Sequence, residues 1–220
     1  MELTTAHKVV AIDGPAASGK SSVAQELARR LEFIYVNSGA MYRTMTWYVL
    51  ERGIATDDAP AIERVAERAA IACHLRDHDS IMLIDGVDAE PFLREDRVNE
   101  NVSHVSSVPR VREILVDHLR HYALTNDLVM EGRDIGSVVF PETPFKFYID
   151  ASPEIRARRR AAQGQRDRIA ARDLADSSRR ASPLIIAEDA YVIDSSNLTI
   201  DGVVGEIIGR LKLKGLTIDR

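Results

Sequence analysis

Cysteine is almost missing from this chain: Cys73 is the single thiol in 220 residues. One cysteine excludes a disulfide framework and a cysteine-based zinc site. It reads as a small buried hydrophobe rather than a nucleophile. No apolar run approaches the ~18 residues that a membrane span needs, which excludes a transmembrane protein. The opening MELTTAHKVVAIDG lacks a long apolar stretch ending in a small-residue cleavage site, so the expectation is a cytoplasmic protein. The six histidines show no metal-ligand spacing, and His118 and His121, three apart on a helix, read as surface residues. A net charge of −5 excludes broad nucleic-acid binding by a basic surface. Lysine is scarce too, with five against 24 arginines. Arginine's rigid fork matches phosphate bidentately where lysine's point charge does not, although for the total genomic base composition is the favoured explanation.

What is present is an ordinary soluble composition, 45% apolar and 29% charged, long enough for one domain with an elaboration or two very small ones. No low-complexity tract or solenoid repeat interrupts it. Val9–Ile12 is a short apolar run, followed by Gly-Pro turn chemistry and by Val23, Leu27 and Leu31 at helical spacing. Residues 33–36 suggest a second strand and 39–52 a helix ended by Gly53. Asp57-Asp58 before Pro60 looks like a capped helix start. Short strand candidates at 71–76, 81–85 and 87–93, with Asp85-Gly86 as a hairpin dipeptide, suggest an inserted antiparallel patch. Pro109 opens a helix with Val111, Leu115 and Leu119 on one face. Strands of buried type follow at 128–130, 145–149 and 191–193. The strand–helix alternation argues a parallel sheet with helices on both faces. The Arg- and Ala-rich stretch 156–182 can form helix but buries little, so it should be mobile, and most of Arg156, Arg158, Arg159 and Arg160 should be solvated.

Gly14-Pro15-Ala16-Ala17-Ser18-Gly19-Lys20-Ser21 matches G-x-x-x-x-G-K-[ST] in full. Such a loop turns backbone N–H groups inward and adds the positive end of a helix. Lys20 can place a charge between two phosphates, and the Ser21 hydroxyl can ligate Mg²⁺. The motif follows an apolar strand and opens an amphipathic helix, as the physics requires. A phosphate loop alone names no function. A switch or motor protein would carry an apolar strand ending in an Asp for the Mg²⁺ shell, and none is clear in the first 100 residues.

Other patterns add to this one. Arg133-Asp134 lies at the C-terminal end of a strand, where open α/β sheets bind ligands. Arg43 falls inside a helix whose core face is Met41, Trp47 and Leu50. Arg172, Asp176 and Arg179, at i, i+4 and i+7, project from one helical face. On spacing alone that trio is a salt-bridged surface face.

The stretches Tyr35–Arg43 (YVNSGAMYR), Pro109–Glu113 (PRVRE), Glu131–Pro141 (EGRDIGSVVFP) and Arg172–Leu184, with Arg172, Asp173, Asp176, Arg179 and Ser182-Pro183-Leu184, resemble the bacterial-type cytidylate kinases. The likeness runs from about Val9 to the last helix. S-G-A-M-Y-R and G-R-D-I-G are specific to that family, and the phosphate loop is not.

The resemblance implies an α/β fold: a P-loop core with a five-stranded parallel sheet and helices on both faces, at about 8–37, 108–155 and 183–220. It adds a nucleoside-monophosphate-binding insert with a small antiparallel sheet (38–107) and a short helical lid (156–182). It implies transfer of the γ-phosphoryl of ATP to CMP or dCMP, with Mg²⁺ as cofactor. ATP would lie on Gly14, Pro15, Ala16, Ala17, Ser18, Gly19, Lys20, Ser21 and Ser22, with Ser21 as the metal ligand. Arg43 and Arg133 would grip the CMP phosphate, and Ser38 would sit beside the nucleoside. Ser103, Arg112 and Asp134 would read the cytosine edge. Arg172 and Asp176 would reach sugar and phosphate, and Arg179 would span the transferring group. Lys20, Arg133, Arg172 and Arg179 form the implied catalytic set. The partners implied are these nucleotides alone, without nucleic acid or membrane, and the chain is expected to be a monomer.

Two departures stand out. Asn37 occupies a place where relatives commonly carry aspartate, and Ala175 and Ser177 stand where some carry arginine. The nearest rival reading is another nucleoside-monophosphate or small-metabolite kinase, and a more distant one is a nucleotide-binding switch.

Overall fold

The structure, a computed structural model, describes residues 7–162, 173–174 and 184–217. Its strands are β1 (Val9–Asp13), β2 (Ile34–Asn37), β3 (Ile71–Arg76), β4 (Asp79–Ile84), β5 (Val87–Asp88), β6 (Leu128–Gly132), β7 (Phe145–Asp150) and β8 (Tyr191–Asp194). The described helices are α1 (Lys20–Leu31), α2 (Ser38–Glu51), α3 (Ala59–Arg68), α4 (Asp96–Ser106), α5 (Pro109–Tyr122), α6 (Pro153–Ala162) and α7 (Ile200–Leu213).

Five strands run parallel in the order β2-β6-β1-β7-β8. The central strand, β1, is buried along its whole length, and its side chains alternate between two apolar clusters. Val9 and Ala11 enter the cluster built with α2, α3, α4 and α5, whereas Val10 and Ile12 enter the one built with α1 and α7. Leu128 and Met130 of β6 likewise face the first cluster and Val129 the second. A strand covered on both faces must be apolar at every position, which is why these runs read as continuous. Helix α1 buries Val23, Ala24, Leu27, Ala28 and Leu31, the stripe that its spacing predicts.

The antiparallel strands do not form a sheet of their own. β3, β4 and β5 pair in sequence, and β4 joins β2 through a single parallel pair, Tyr35 with Asp79, so the sheet has eight strands. Both hairpins are two-residue turns with positive φ at each central position, Asp77 (49°) with His78 (70°), and Asp85 (49°) with Gly86 (78°). This is the turn whose twist matches paired strands. Helix α4 was not anticipated from the sequence. Its segment DRVNENVSHVS is mostly polar, and only Val98, Val102 and Val105 mark the buried stripe.

His118 is another correction. It is half-buried rather than on the surface, with Nδ1 3.9 Å from the Cys73 sulfur, and burial lowers its pKa. His121 is exposed.

Candidate active site

β1 ends at Asp13 and the chain then turns through residues 14–19 into α1. A Cβ on Gly14 would lie 2.1 Å from the Ile149 carbonyl oxygen, so this close approach of two backbones admits only glycine. Ala17 and Gly19 both adopt positive φ, 58° and 93°. Side chains from elsewhere hold the loop carbonyls. Lys20 Nζ donates to the Pro15 oxygen at 3.0 Å, and Arg156 Nη1 to the Ala16 oxygen at 3.3 Å. Arg159 Nη1 and Ser195 Oγ both donate to the Ser18 oxygen, at 3.1 and 2.7 Å. The Ala16 amide donates to Asp173 Oδ1 at 3.3 Å, and Asp173 also pairs with Arg156.

The expectation that most of Arg156, Arg158, Arg159 and Arg160 are solvated is therefore wrong. Only Arg158 is exposed. α6 packs beside the phosphate loop, whose outward carbonyls need donors, and the arginines supply them.

Asp13 corrects a second expectation, since β1 is an apolar strand that does end in an aspartate. Its two oxygens accept the Ile135 and Gly136 amides, both at 2.8 Å, so its acceptors are spent on the backbone after β6. Burial pushes its carboxyl pKa up to about 7, against the lowering effect of those two amides.

A cavity of about 510 Å³ opens over the loop. Its lining takes in Ala16, Ala17, Ser18, Gly19, Lys20, Ser21 and Ser22 on one side, and Ser38, Arg43, Arg112, Arg133 and Asp134 on the other. Gly14 and Pro15 lie behind that lining, fully within the backbone turn. Ser103 does not line it. Ser106, a turn further along α4, does, and its hydroxyl donates to the Ser103 carbonyl at 3.3 Å. Arg172, Asp176 and Arg179 lie outside the described residues, as do Ala175 and Ser177 and most of the expected lid.

Between the two sides stand Lys20 and Glu131. The Lys20 ammonium is 4.0 Å from Glu131 Oε2, and both side chains are buried. Glu131 Oε1 accepts the Tyr35 hydroxyl at 3.1 Å, and Asn37 Nδ2 donates to that hydroxyl at 3.2 Å. Burial and the adjacent carboxylate push the Tyr35 pKa far above its ordinary value. Asn37 Oδ1 accepts the Ala40 amide at 2.9 Å and so caps α2. The amide at position 37 thus serves two local contacts, and the carboxylate in this part of the cavity is Glu131.

On the far side, Arg112 and Asp134 form an ion pair, each side chain 5% exposed. Arg112 Nη1 also donates to the Ser106 carbonyl at 3.3 Å, its guanidinium lies 5.2 Å from the Tyr42 ring centre, and its Nε has no partner among the described residues. Arg43 Nε donates to Asn99 Oδ1 at 3.4 Å. Asn99 Nδ2 is committed to the Arg94 and Glu95 carbonyls at 3.0 and 3.2 Å, which fixes the direction of that oxygen. Arg133 Nη1 donates to the Gly14 carbonyl at 3.0 Å and so links the loop to the end of β6. Ser38 Oγ donates to the Glu131 carbonyl at 2.7 Å, and a Cβ on Gly132 would meet that hydroxyl at 2.5 Å.

The 14–20 loop and a buried Arg–Asp pair share one cavity, and comparison with known proteins gives the chain a family. The cytidylate kinase family model matches residues 10–213. The chain belongs to the cytidylate kinase family. Curated cytidylate kinases include that of Desulforamulus reducens, 43% identical over 93% of this chain and 96% of the relative. That of Mycobacterium leprae is 44% identical over 93% and 95%, and that of Rhodococcus opacus 42% over 94% and 95%. Membership makes this cytidylate kinase an ATP-dependent phosphotransferase acting on CMP. No described helix is long and apolar enough to cross a membrane.

Several lining residues of this kinase were given no role in the site from the sequence. Glu131, Arg159 and Ser195 acquire their places only when β6, α6 and the turn after β8 converge on the loop. Leu198, Thr199, Ile200 and Val203 also line the cavity.

Proposed function

We propose that the cavity holds both nucleotides at once and that the chain transfers the γ-phosphoryl of ATP to CMP or dCMP. The observation that carries this is the single cavity running from the Lys20 loop to the Arg112–Asp134 pair. The loop amides and Lys20 hold the donor's phosphates, with Arg133 between the two sides. Arg43 and Arg133 hold the acceptor phosphate. Ser38 lies beside the nucleoside, and Arg112 and Asp134 select the base, with Ser106 in the place expected of Ser103. Arg172, Asp176 and Arg179 belong to the lid in this reading. The domain reading is the one the resemblance implies: core 8–37, 108–155 and 183–220, insert 38–107 and lid 156–182. The enzyme acts on free nucleotides as a cytoplasmic monomer.

The donor set near the loop suits Mg²⁺. It consists of oxygens, the Ser21 hydroxyl and the Glu131 carboxylate, and no cluster of three or more His, Cys, Asp or Glu is found among the described residues. Mg²⁺ retains several waters and takes few protein ligands besides substrate phosphates. When bound, it neutralises charge on the phosphates. Ser21 would hold it, with Glu131 facing its water shell.

No general base is needed. The nucleophile is a phosphate oxygen whose second pKa is about 6, so it is ionised at neutral pH. What remains is bringing two polyanions together, and Lys20 with the arginines does this by charge and position. Closure over the cavity excludes the water that would otherwise take the phosphoryl group.

Coupled ADP release across CMP, dCMP, UMP, AMP and dTMP tests the reading. Rapid release is expected with CMP and dCMP only. Equal rates with AMP or dTMP, or slow release that no monophosphate accelerates, would overturn it.

A further inference from the structure

We propose that Ser195 is a positioning residue for the donor nucleotide: by holding the Ser18 carbonyl it aims the Gly19 amide into the cavity. The proposal rests on the reading that the 14–20 loop holds the donor's phosphates. Ser195 follows β8, is 3% exposed, and donates its hydroxyl to the Ser18 oxygen at 2.7 Å across 177 residues of sequence. The contact is reinforced from α6. Arg159 Nη1 reaches the same Ser18 oxygen at 3.1 Å and Ser195 Oγ at 3.1 Å, and its Nη2 donates to the Ser195 carbonyl at 2.8 Å.

A trans peptide is planar, with its C=O and N–H pointing in opposite directions. Turning the Ser18 carbonyl toward Ser195 therefore turns the Gly19 N–H away from Ser195, and Gly19 itself lines the cavity. Gly19 has φ of 93°, a region in which glycine rotates at little cost, so the peptide before it needs an external hold. Lys20 and Arg156 do the same for the Pro15 and Ala16 carbonyls, but they bring charge as well. Ser195 is neutral and short, and its hydroxyl proton is spent on Ser18. Its effect is therefore orientation, separable from electrostatic attraction of the phosphates.

The test is steady-state kinetics on Ser195→Ala and Ser195→Thr, with Lys20→Ala as the control for the loop itself. Misaiming one donor to a charged phosphate should raise the KM for ATP roughly tenfold in Ser195→Ala. The KM for CMP should stay within about twofold, because the acceptor side is untouched. Ser195→Thr keeps the hydroxyl and should restore the ATP KM. A readout independent of turnover is the Gly19 amide resonance. Adding ADP should shift it in the wild type and in Ser195→Thr, and much less in Ser195→Ala. Should Ser195→Ala fail to fold, Ser195→Cys offers a weaker donor of similar shape, and an intermediate ATP KM is expected. The proposal is overturned if Ser195→Ala leaves the ATP KM unchanged, raises both KM values together, or is not rescued by Thr, while Lys20→Ala is inactive. An active Lys20→Ala would instead remove the loop reading on which the proposal stands.

Discussion

Asp134 pairs with Arg112 of α5, twenty-two residues away in sequence, and not with its neighbour Arg133, which turns instead to the Gly14 carbonyl. The pair is buried in the lining of the cavity. An ionised carboxylate can only accept hydrogen bonds, so it suits the 4-amino group of cytosine and opposes the 4-carbonyl of uracil. Asp134→Asn can turn an N–H₂ toward that carbonyl, and each mismatch it relieves is worth ~1–3 kcal/mol. The variant should lose much of its kcat/KM for CMP and narrow the CMP to UMP ratio at least ~10-fold. Measuring kcat/KM for both substrates on both proteins decides it: a common loss with an unchanged ratio means that the pair only supports the fold.

Lys20 faces the loop's own Pro15 carbonyl and the Glu131 carboxylate, both of which remain acceptors without it. Lys20→Ala should lower kcat on the order of 10²–10³-fold or more, as loss of one preorganised donor to the transferring group does. Its thermal unfolding should stay near that of the wild type. A normally melting variant with near-full activity would falsify the assignment of the loop.

Arg43 Nε donates to Asn99 Oδ1, and Asn99 itself is 7% exposed and does not line the cavity. Asn99→Ala should raise the KM for CMP about tenfold, the cost of misplacing one charged hydrogen bond. The KM for ATP should hold. In a double-mutant cycle with Arg43→Ala the two losses should overlap rather than multiply. Multiplying losses would mean that Asn99 acts only on the start of α4.

Asp13 predicts a pH dependence of stability. Its folded pKa, about 7, lies above the ordinary 3.8, so between those values the native state keeps a proton that the unfolded chain has lost. The stability it lends is complete below the lower value and is lost as pH rises to the upper one, at up to about 1.4 kcal/mol per pH unit. His118, with its pKa lowered from 6.5 by burial, has the opposite sign, gaining stability as pH rises through that value. Comparison with Asp13→Asn cancels His118. In urea unfolding from about pH 5 to pH 8, the wild type's advantage over the variant should shrink up to neutrality and then level off. Parallel profiles would show that Asp13 is ionised throughout.

The parallel strands, the loop and the cavity-lining residues Ser38, Arg43, Arg112, Arg133 and Asp134 were legible because each sits in a contiguous pattern: an apolar run, a Gly-rich turn, a family segment. Asn99, Arg159 and Ser195 were not assigned to the site, since their contacts join residues far apart in the chain and no local spacing marks them, and Glu131, inside a family segment, was given no role. The arginines of α6 read as solvated because a charge run on a helix poor in apolar residues has no core to face. Their partners are backbone carbonyls, which leave no trace in sequence. The join of β4 to β2 escaped for a similar reason, being a single residue pair.

The alternation along β1 also sets where the chain tolerates changes of length. Deleting one residue between Val9 and Asp13 would send Val10 and Ile12 to the wrong side of the sheet and pull Gly14 off the Ile149 carbonyl, damaging both apolar clusters and the phosphate loop in one event. The Asp77-His78 turn is held as well, since the His78 carbonyl accepts the Tyr35 amide at 2.9 Å beside the Tyr35–Asp79 pair, so extra residues there would loosen the join of β4 to β2. Insertions and deletions should therefore be absent from the first strand.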